Sequence, residues 1–286
     1  MGGGLCSIIC PSLWWRGSMG TIAKPRQLVD SFQNRFGIKA GDVGAHTSRT
    51  LMLAELRELL GSLPASAKAA DYRIAIVNEN LLSKRTQATR KLSYQRLSEL
   101  YALDPAVPIF RTLRRLWETD RAGRPMLALL VAYARDPLLR ATAMPVLRAS
   151  QGKSVTASVL DEHLSTRLGS RLSQAVRGKV SRNAASTWTQ SGHLTGRVKK
   201  MRTAPVLTPP VVAFAFLLAN ASGSPGRSAF TSEYVALLDR PPTALATLLH
   251  EAHRAGLMTF RQAGDVVDLG FSTLLTPAEE TAIHGV

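Results

Sequence analysis

The amino-acid sequence predicts a mainly α protein: two helical lobes with helix-turn-helix or winged-helix elements and short β-hairpin wings. Three observations carry this. Stretches with apolar residues at three- and four-residue spacing follow one another along most of the chain, each closed by a glycine or restarted by an Asp-Pro or Arg-Pro step. Twice, in HLTGRVKKMRTAPVLT (193–208) and LMTFRQAGDVVDLGF (257–271), the pattern changes to short extended pieces about a turn. A hydrophobic content of 45% over 286 residues is enough to bury a core.

The elements follow in order. Residues 1–18 have no helix or strand pattern and read as a disordered leader, with Met19 as an alternative start. Residues 19–148 form the N-terminal helical domain. Thr47 or Ser48 can cap TLMLAELRELLG, which Gly61 stops. A second helix spans Ala69 to Asn80 and a third Thr86 to Tyr101, where Tyr94, Leu97 and Tyr101 share a face. Three short helices with small turns suggest a helix-turn-helix. Asp104-Pro105 precedes the next helix. Arg124-Pro125 opens PMLALLVAYAR, apolar almost all round and therefore central. Asp136-Pro137 is an N-cap followed by proline at the first helical position.

The polar stretch after Pro145 marks the start of a C-terminal domain, 149–286. A helix near Thr156 to Arg167 leads to a longer one, roughly Ser170 to Ser191, capped by Ser170 and stopped by Gly192. Its row Leu172, Val176, Val180, Ala184, Trp188 is apolar, which assigns Trp188 to the core. Arg171, Gly178 and Arg182 fall on the opposite side. Helix and then a cation-rich hairpin about Gly196-Arg197 is the order of a winged helix. A second, nearly neutral wing-like hairpin occupies part of 243–271 and suits packing or protein contact.

Charge narrows the function. There are 36 Lys and Arg against 20 Asp and Glu, a net of +16, and the pI is about 10.7. Such a balance favours a polyanionic partner, nucleic acid before membrane. The excess is concentrated: no acidic residue lies between Glu162 and Glu233, where ten Lys or Arg fall. Arg171, Arg177, Lys179, Arg182, Arg197, Lys199, Lys200 and Arg202 suit phosphate contact. In the first lobe Lys84, Arg85, Arg90 and Lys91 are the next candidates.

Motifs for chemistry are missing from the pattern. His250 and His253 lack the HExxH arrangement, His193 has no acid near it in sequence to orient it, and Ser191-Gly192-His193 is not a nucleophile elbow. No glycine-rich phosphate loop occurs. Expected, therefore, are no catalytic residue, no metal ligand and no cofactor. Both cysteines, Cys6 and Cys10, lie in the leader, so no disulfide framework exists, as fits a cytoplasmic protein. The apolar run from Val211 is about half the ~20 residues needed to cross a bilayer.

Two segments resemble the BrxA family of BREX bacteriophage-exclusion systems: VNENLLSKRTQATRKLSYQRLSEL (77–100), and residues 170–202 with the LTPPVV helix start that follows. The resemblance implies a cytoplasmic, two-lobed helical protein that binds double-stranded DNA without enzymatic activity. It further implies phage resistance exercised beside a methyltransferase, an ATPase and a phosphatase-like protein. About 65 residues lie beyond the similar part. Two other classes fit the residues: a dimeric winged-helix transcriptional repressor, and a helical RNA-binding or scaffold subunit of a larger complex.

Overall fold

The computed structural model describes residues 32–41 and 43–284; the leader expected at 1–18 lies outside them. The protein is mainly helical, and among the described residues its strands form two small antiparallel hairpins. The fold class expected from the sequence is thus the one observed.

The first lobe starts with helical residues 32–36 and a 3-10 turn, Ala45–Thr47. Helix α1 is Leu53–Ser62 and α2 is Ala69–Arg73; a π-helical turn, Ile74–Asn78, continues α2. Helix α3 is Gln87–Tyr101, α4 Pro108–Thr119 and α5 Arg124–Arg135. Two short helices, α6 (Pro137–Ala141) and α7 (Ala143–Arg148), close the lobe. Helix α5 is central as expected: every residue from Met126 to Arg135 is buried. Thr86 caps α3 by accepting from the Thr89 amide, and Asp136 caps α6 by accepting from the Leu138 and Leu139 amides.

The start of α1 differs from expectation. Thr47 belongs to the 3-10 turn and Ser48 ends it, and α1 begins only at Leu53, after Met52 in the left-handed region at φ 51°. Gly61 lies inside the helix, and Leu63 follows its end. The local spacing permitted an earlier start, but Leu51 and Met52 are buried and are used to turn the chain into the core.

The second part contains α8 (Ala157–Leu168), α9 (Gln174–Gln190), strand β1 (Leu194–Thr195) and strand β2 (Met201–Arg202). Leu194 pairs with Arg202 and Thr195 with Met201. The segment 152–155 lies along the other edge of β2: Gly152 N donates to Arg202 O (2.9 Å), Arg202 N to Lys153 O (2.8 Å) and Val155 N to Lys200 O (2.9 Å). Two helices and a hairpin backed by one more extended segment give the winged-helix order. Helix α9 starts later than expected. Ser173, not Ser170, is its cap, and Arg171 ends a separate 3-10 turn, Gly169–Arg171, so Arg171 is not on the α9 face with Gly178 and Arg182.

The remaining chain repeats this order: α10 (Pro209–Ala221), α11 (Glu233–Ala236), α12 (Pro242–Arg254), β3 (Thr259–Ala263) and β4 (Val266–Gly270), with a terminal helix α13 (Pro277–His284). This extension is fastened to the first lobe, and Asp239 and Leu237 tie it to Arg202 and His193 of the second part. Both carboxylate oxygens of Glu279 accept from Arg111 Nη2 (2.6 and 2.5 Å), Arg115 donates to Thr273 O, and Tyr133 OH donates to Glu233 (3.1 Å). One hydrophobic cluster runs from Phe32 to Leu275 and includes residues on both sides of 148–149.

Trp188 is fully buried in that cluster, as its place in the apolar row predicts, and its indole N–H donates to Thr142 Oγ1 at 2.9 Å. Trp188→Ala should therefore cost ~3–5 kcal/mol by leaving a cavity. Urea denaturation of the variant beside the parent measures it; a loss below about 1 kcal/mol would show that the tryptophan is not a core residue.

Candidate nucleic-acid interface

Helix α9 has two unlike halves. From Val180 onward it is fixed: Val180, Ser181, Ala184, Ala185, Thr187 and Trp188 are buried. Asn183 donates to His46 O (2.8 Å), and Gln190 accepts from the Leu53 amide (3.3 Å) while donating to Thr50 (3.1 Å). In the first half Gln174, Ala175 and Lys179 are exposed, and so is Arg182 just beyond it. The Arg182 guanidinium leans back over Gly178, 3.4 Å from where a β-carbon would stand.

The wing is held to the same side of the helix. Lys200 Nζ donates to Thr189 Oγ1 at 2.8 Å. Thr189 is seven residues from Arg182, two turns along one face and about 10 Å away along the axis. Gly196, at the start of the wing turn, has φ +97°, and a β-carbon there would strike the carbonyl oxygen of Lys199, so the turn demands glycine. Beyond it Arg197, Val198 and Lys199 are exposed, Val198 at 95%.

The expected phosphate-contacting cations therefore divide. Arg171, Lys179, Arg182, Arg197 and Lys199 are exposed. Lys153, on the strand-like segment beside β2, is exposed too and was missed by sequence reasoning, since it precedes the acid-free stretch. Arg177 is only 16% exposed and faces Asp161 at 3.6 Å. Lys200 is half-buried and spent on Thr189, and burial lowers its pKa. In the first lobe Lys84 pairs with Glu55 (3.2 Å) and Arg90 donates to Lys84 O (3.4 Å), leaving Arg85 and Lys91 exposed.

Arg202 requires correction. It is 2% exposed, donates to Val146 O (2.8 Å), His193 O (3.1 Å) and Thr203 O, and is paired with Asp239 at 2.9 Å. No phosphate reaches it. Its place at the end of a cationic run gave no hint of this, because strand alternation turns Arg202 inward while the partner, Asp239, is 37 residues away.

Histidines that sequence left idle are structural. His46 is buried; its Nδ1 donates to Asp136 Oδ2 (2.7 Å), and its Nε2 accepts from Thr187 Oγ1 (2.8 Å). Burial works against the Asp136 carboxylate, but the charge and hydrogen bonds of His46, with the Leu139 amide, hold its pKa below the usual value. The order carboxylate, imidazole, hydroxyl resembles a hydrolase triad in composition only. All three groups are within 1% of full burial, so no substrate meets the hydroxyl. His193 is likewise enclosed. Its Nδ1 accepts from Ser191 Oγ (2.9 Å), its Nε2 donates to Leu237 O (2.9 Å), and Trp188 packs edge-on with ring centroids 5.0 Å apart.

Among the described residues no group of three His, Cys, Asp or Glu is placed to hold a metal ion, and no helix is long and apolar enough to cross a membrane. No model of a known protein family matches the chain, and no curated protein matches it.

Two measurements test these assignments. Burial, helped by the nearby Arg202 and Arg240 charges, pushes the His193 pKa from 6.5 down to about 3. The unfolded chain binds this proton more readily, so the contribution is complete above about pH 6.5 and is lost as pH falls toward 3. By pH 5 the loss is ~2 kcal/mol, which urea titrations at pH 7 and pH 5 should show in the parent and not in His193→Asn. Arg202→Ala should lower stability by ~3–5 kcal/mol by leaving Asp239 without its partner and removing three hydrogen bonds to carbonyls. A surface cation that only met phosphate would cost under ~0.5 kcal/mol.

Proposed function

We propose that this protein binds double-stranded DNA, non-enzymatically and mainly through phosphate contacts, with the first half of α9 and the β1–β2 wing gripping one duplex. The observation that carries this reading is the shared orientation of helix and wing. Lys179 and Arg182 project from a helix whose far half is fastened, and the Lys200–Thr189 hydrogen bond sets the wing with Arg197 and Lys199 on that same side. No acidic residue interrupts the stretch. A helix presenting its N-terminal half fits the major groove, ~12 Å wide, while a cationic hairpin meets the flanking backbone. Supporting a place in a phage-exclusion system of the BREX type, beside its methyltransferase, ATPase and phosphatase-like protein, are the two BrxA-like segments, 77–100 and 170–202. A cytoplasmic location goes with that reading.

Four or five phosphate contacts would give a log–log salt slope of roughly −3.6 to −4.5 on duplex DNA. Fluorescence anisotropy with unrelated duplexes should show similar affinities, each weakening steeply with salt. Lys199→Ala and Arg182→Ala should each reduce affinity and flatten the slope by about one unit. Lys200→Ala should act differently, loosening the wing with little change in slope, because its ammonium is already bonded within the protein. Affinity independent of salt between 50 and 200 mM would end the phosphate argument.

A further inference from the structure

Away from the α9 face, a cleft of about 270 Å3 opens where α6 and α7, the end of α8 and the start of α11 meet. Its polar lining is one-sided. Arg140, Arg148 and Arg167 face it, against a single carboxylate, Glu233. That carboxylate already accepts from Tyr133 OH at 3.1 Å. Arg140 is positioned by backbone, donating to Tyr133 O (2.7 Å), Ala134 O (2.8 Å) and Lys39 O, so its charge is held fixed at the cleft. Arg148 and Arg167 are exposed, and among the described residues neither has a hydrogen-bond or ion-pair partner.

One turn before Arg167 on α8, and on the same side of the helix, stands His163. Its Nε2 is buried and, among the described residues, has no hydrogen-bond partner. Burial, then the charges of Arg167 and Arg148, lower its pKa. Three guanidinium groups lining one cleft repel one another, and an anion with several acceptor oxygens would offset that repulsion. Guanidinium forks bind phosphate through paired N–H donors, and a phosphate has enough oxygens to accept from more than one fork at once.

We propose that this cleft is a phosphate-binding site, with Arg148 and Arg167 as the forks and Arg140 as the fixed charge beneath them. The phosphate is that of a mononucleotide or of a nucleic-acid strand passing from the α9 face. The site stands independently of the DNA reading, because it shares no side chain with the α9 and wing cations.

The test uses the full chain and three probes: inorganic phosphate and a 5′-mononucleotide by calorimetry, and a 16-base-pair duplex by anisotropy. Expected for the parent is saturable binding of phosphate or the mononucleotide. That affinity should fall about tenfold or more in the double variant Arg148→Ala with Arg167→Ala, and should be kept in part by Arg148→Lys with Arg167→Lys. The Lys199→Ala variant should bind phosphate like the parent. By NMR, His163 should titrate at higher pH with phosphate present than without. If the double alanine variant loses the small ligands and keeps duplex affinity, the source is a free phosphorylated molecule. If it also loses duplex affinity, the phosphate is the nucleic acid's. If neither small probe binds the parent and the duplex is unaffected by the double variant, the proposal is overturned, and it is overturned equally if both alanine and parent chains bind phosphate alike.

Discussion

Asp136 is the constraint around which the protein is arranged. One carboxylate accepts from the Leu138 and Leu139 amides through Oδ1, and from the His46 amide and ring through Oδ2. It thereby starts α6, fixes the 3-10 turn at 45–47 and orients an imidazole whose other nitrogen holds Thr187 of α9. Gly44 is glycine for the same reason, since a β-carbon there would collide with the Asp136 carboxylate. Buried polar chains are costly when incomplete, and here each member has its partners. The first lobe and the winged helix are joined by this chain as much as by apolar packing.

From that junction the exposed surface follows. With the second half of α9 bonded to His46, Thr50, Leu53 and Thr142, the helix has no freedom to rock, and its first half is carried outward on a rigid base. The wing gains its own anchors at Thr189 and, through Arg202, at Asp239. Arg202 and Lys200 thus serve the face without belonging to it: they spend their charges on holding the hairpin so that Arg197 and Lys199 have theirs to offer. A preorganised grip loses less conformational freedom on binding than a mobile one.

Much of this was legible in the sequence, and the remainder was not for definable reasons. The cap at Asp136, the helix starts near Thr86 and Thr156, the central helix at Arg124–Arg135, the burial of Trp188 and both hairpins were set by local pattern. Cation by cation, exposure was half legible. Composition located the basic stretch, but whether a given arginine faces water or a carbonyl depends on strand register and distant partners. Arg202 with Asp239, and Arg177 with Asp161, show this. The His46–Asp136–Thr187 chain could not be seen at all, since its members are 90 and 141 residues apart and each has an ordinary local role.

Those separations bear on how the chain reaches its native state. The contact between His46 and Thr187 closes a loop of 141 residues, whose entropy cost by the logarithmic law is about 4 kcal/mol before any local term. Helices α1 to α5 are assembled by much shorter-range contacts and can form without it. The seating of α9 is therefore a contact of high sequence separation, which raises the contact order of the whole chain and favours slower folding.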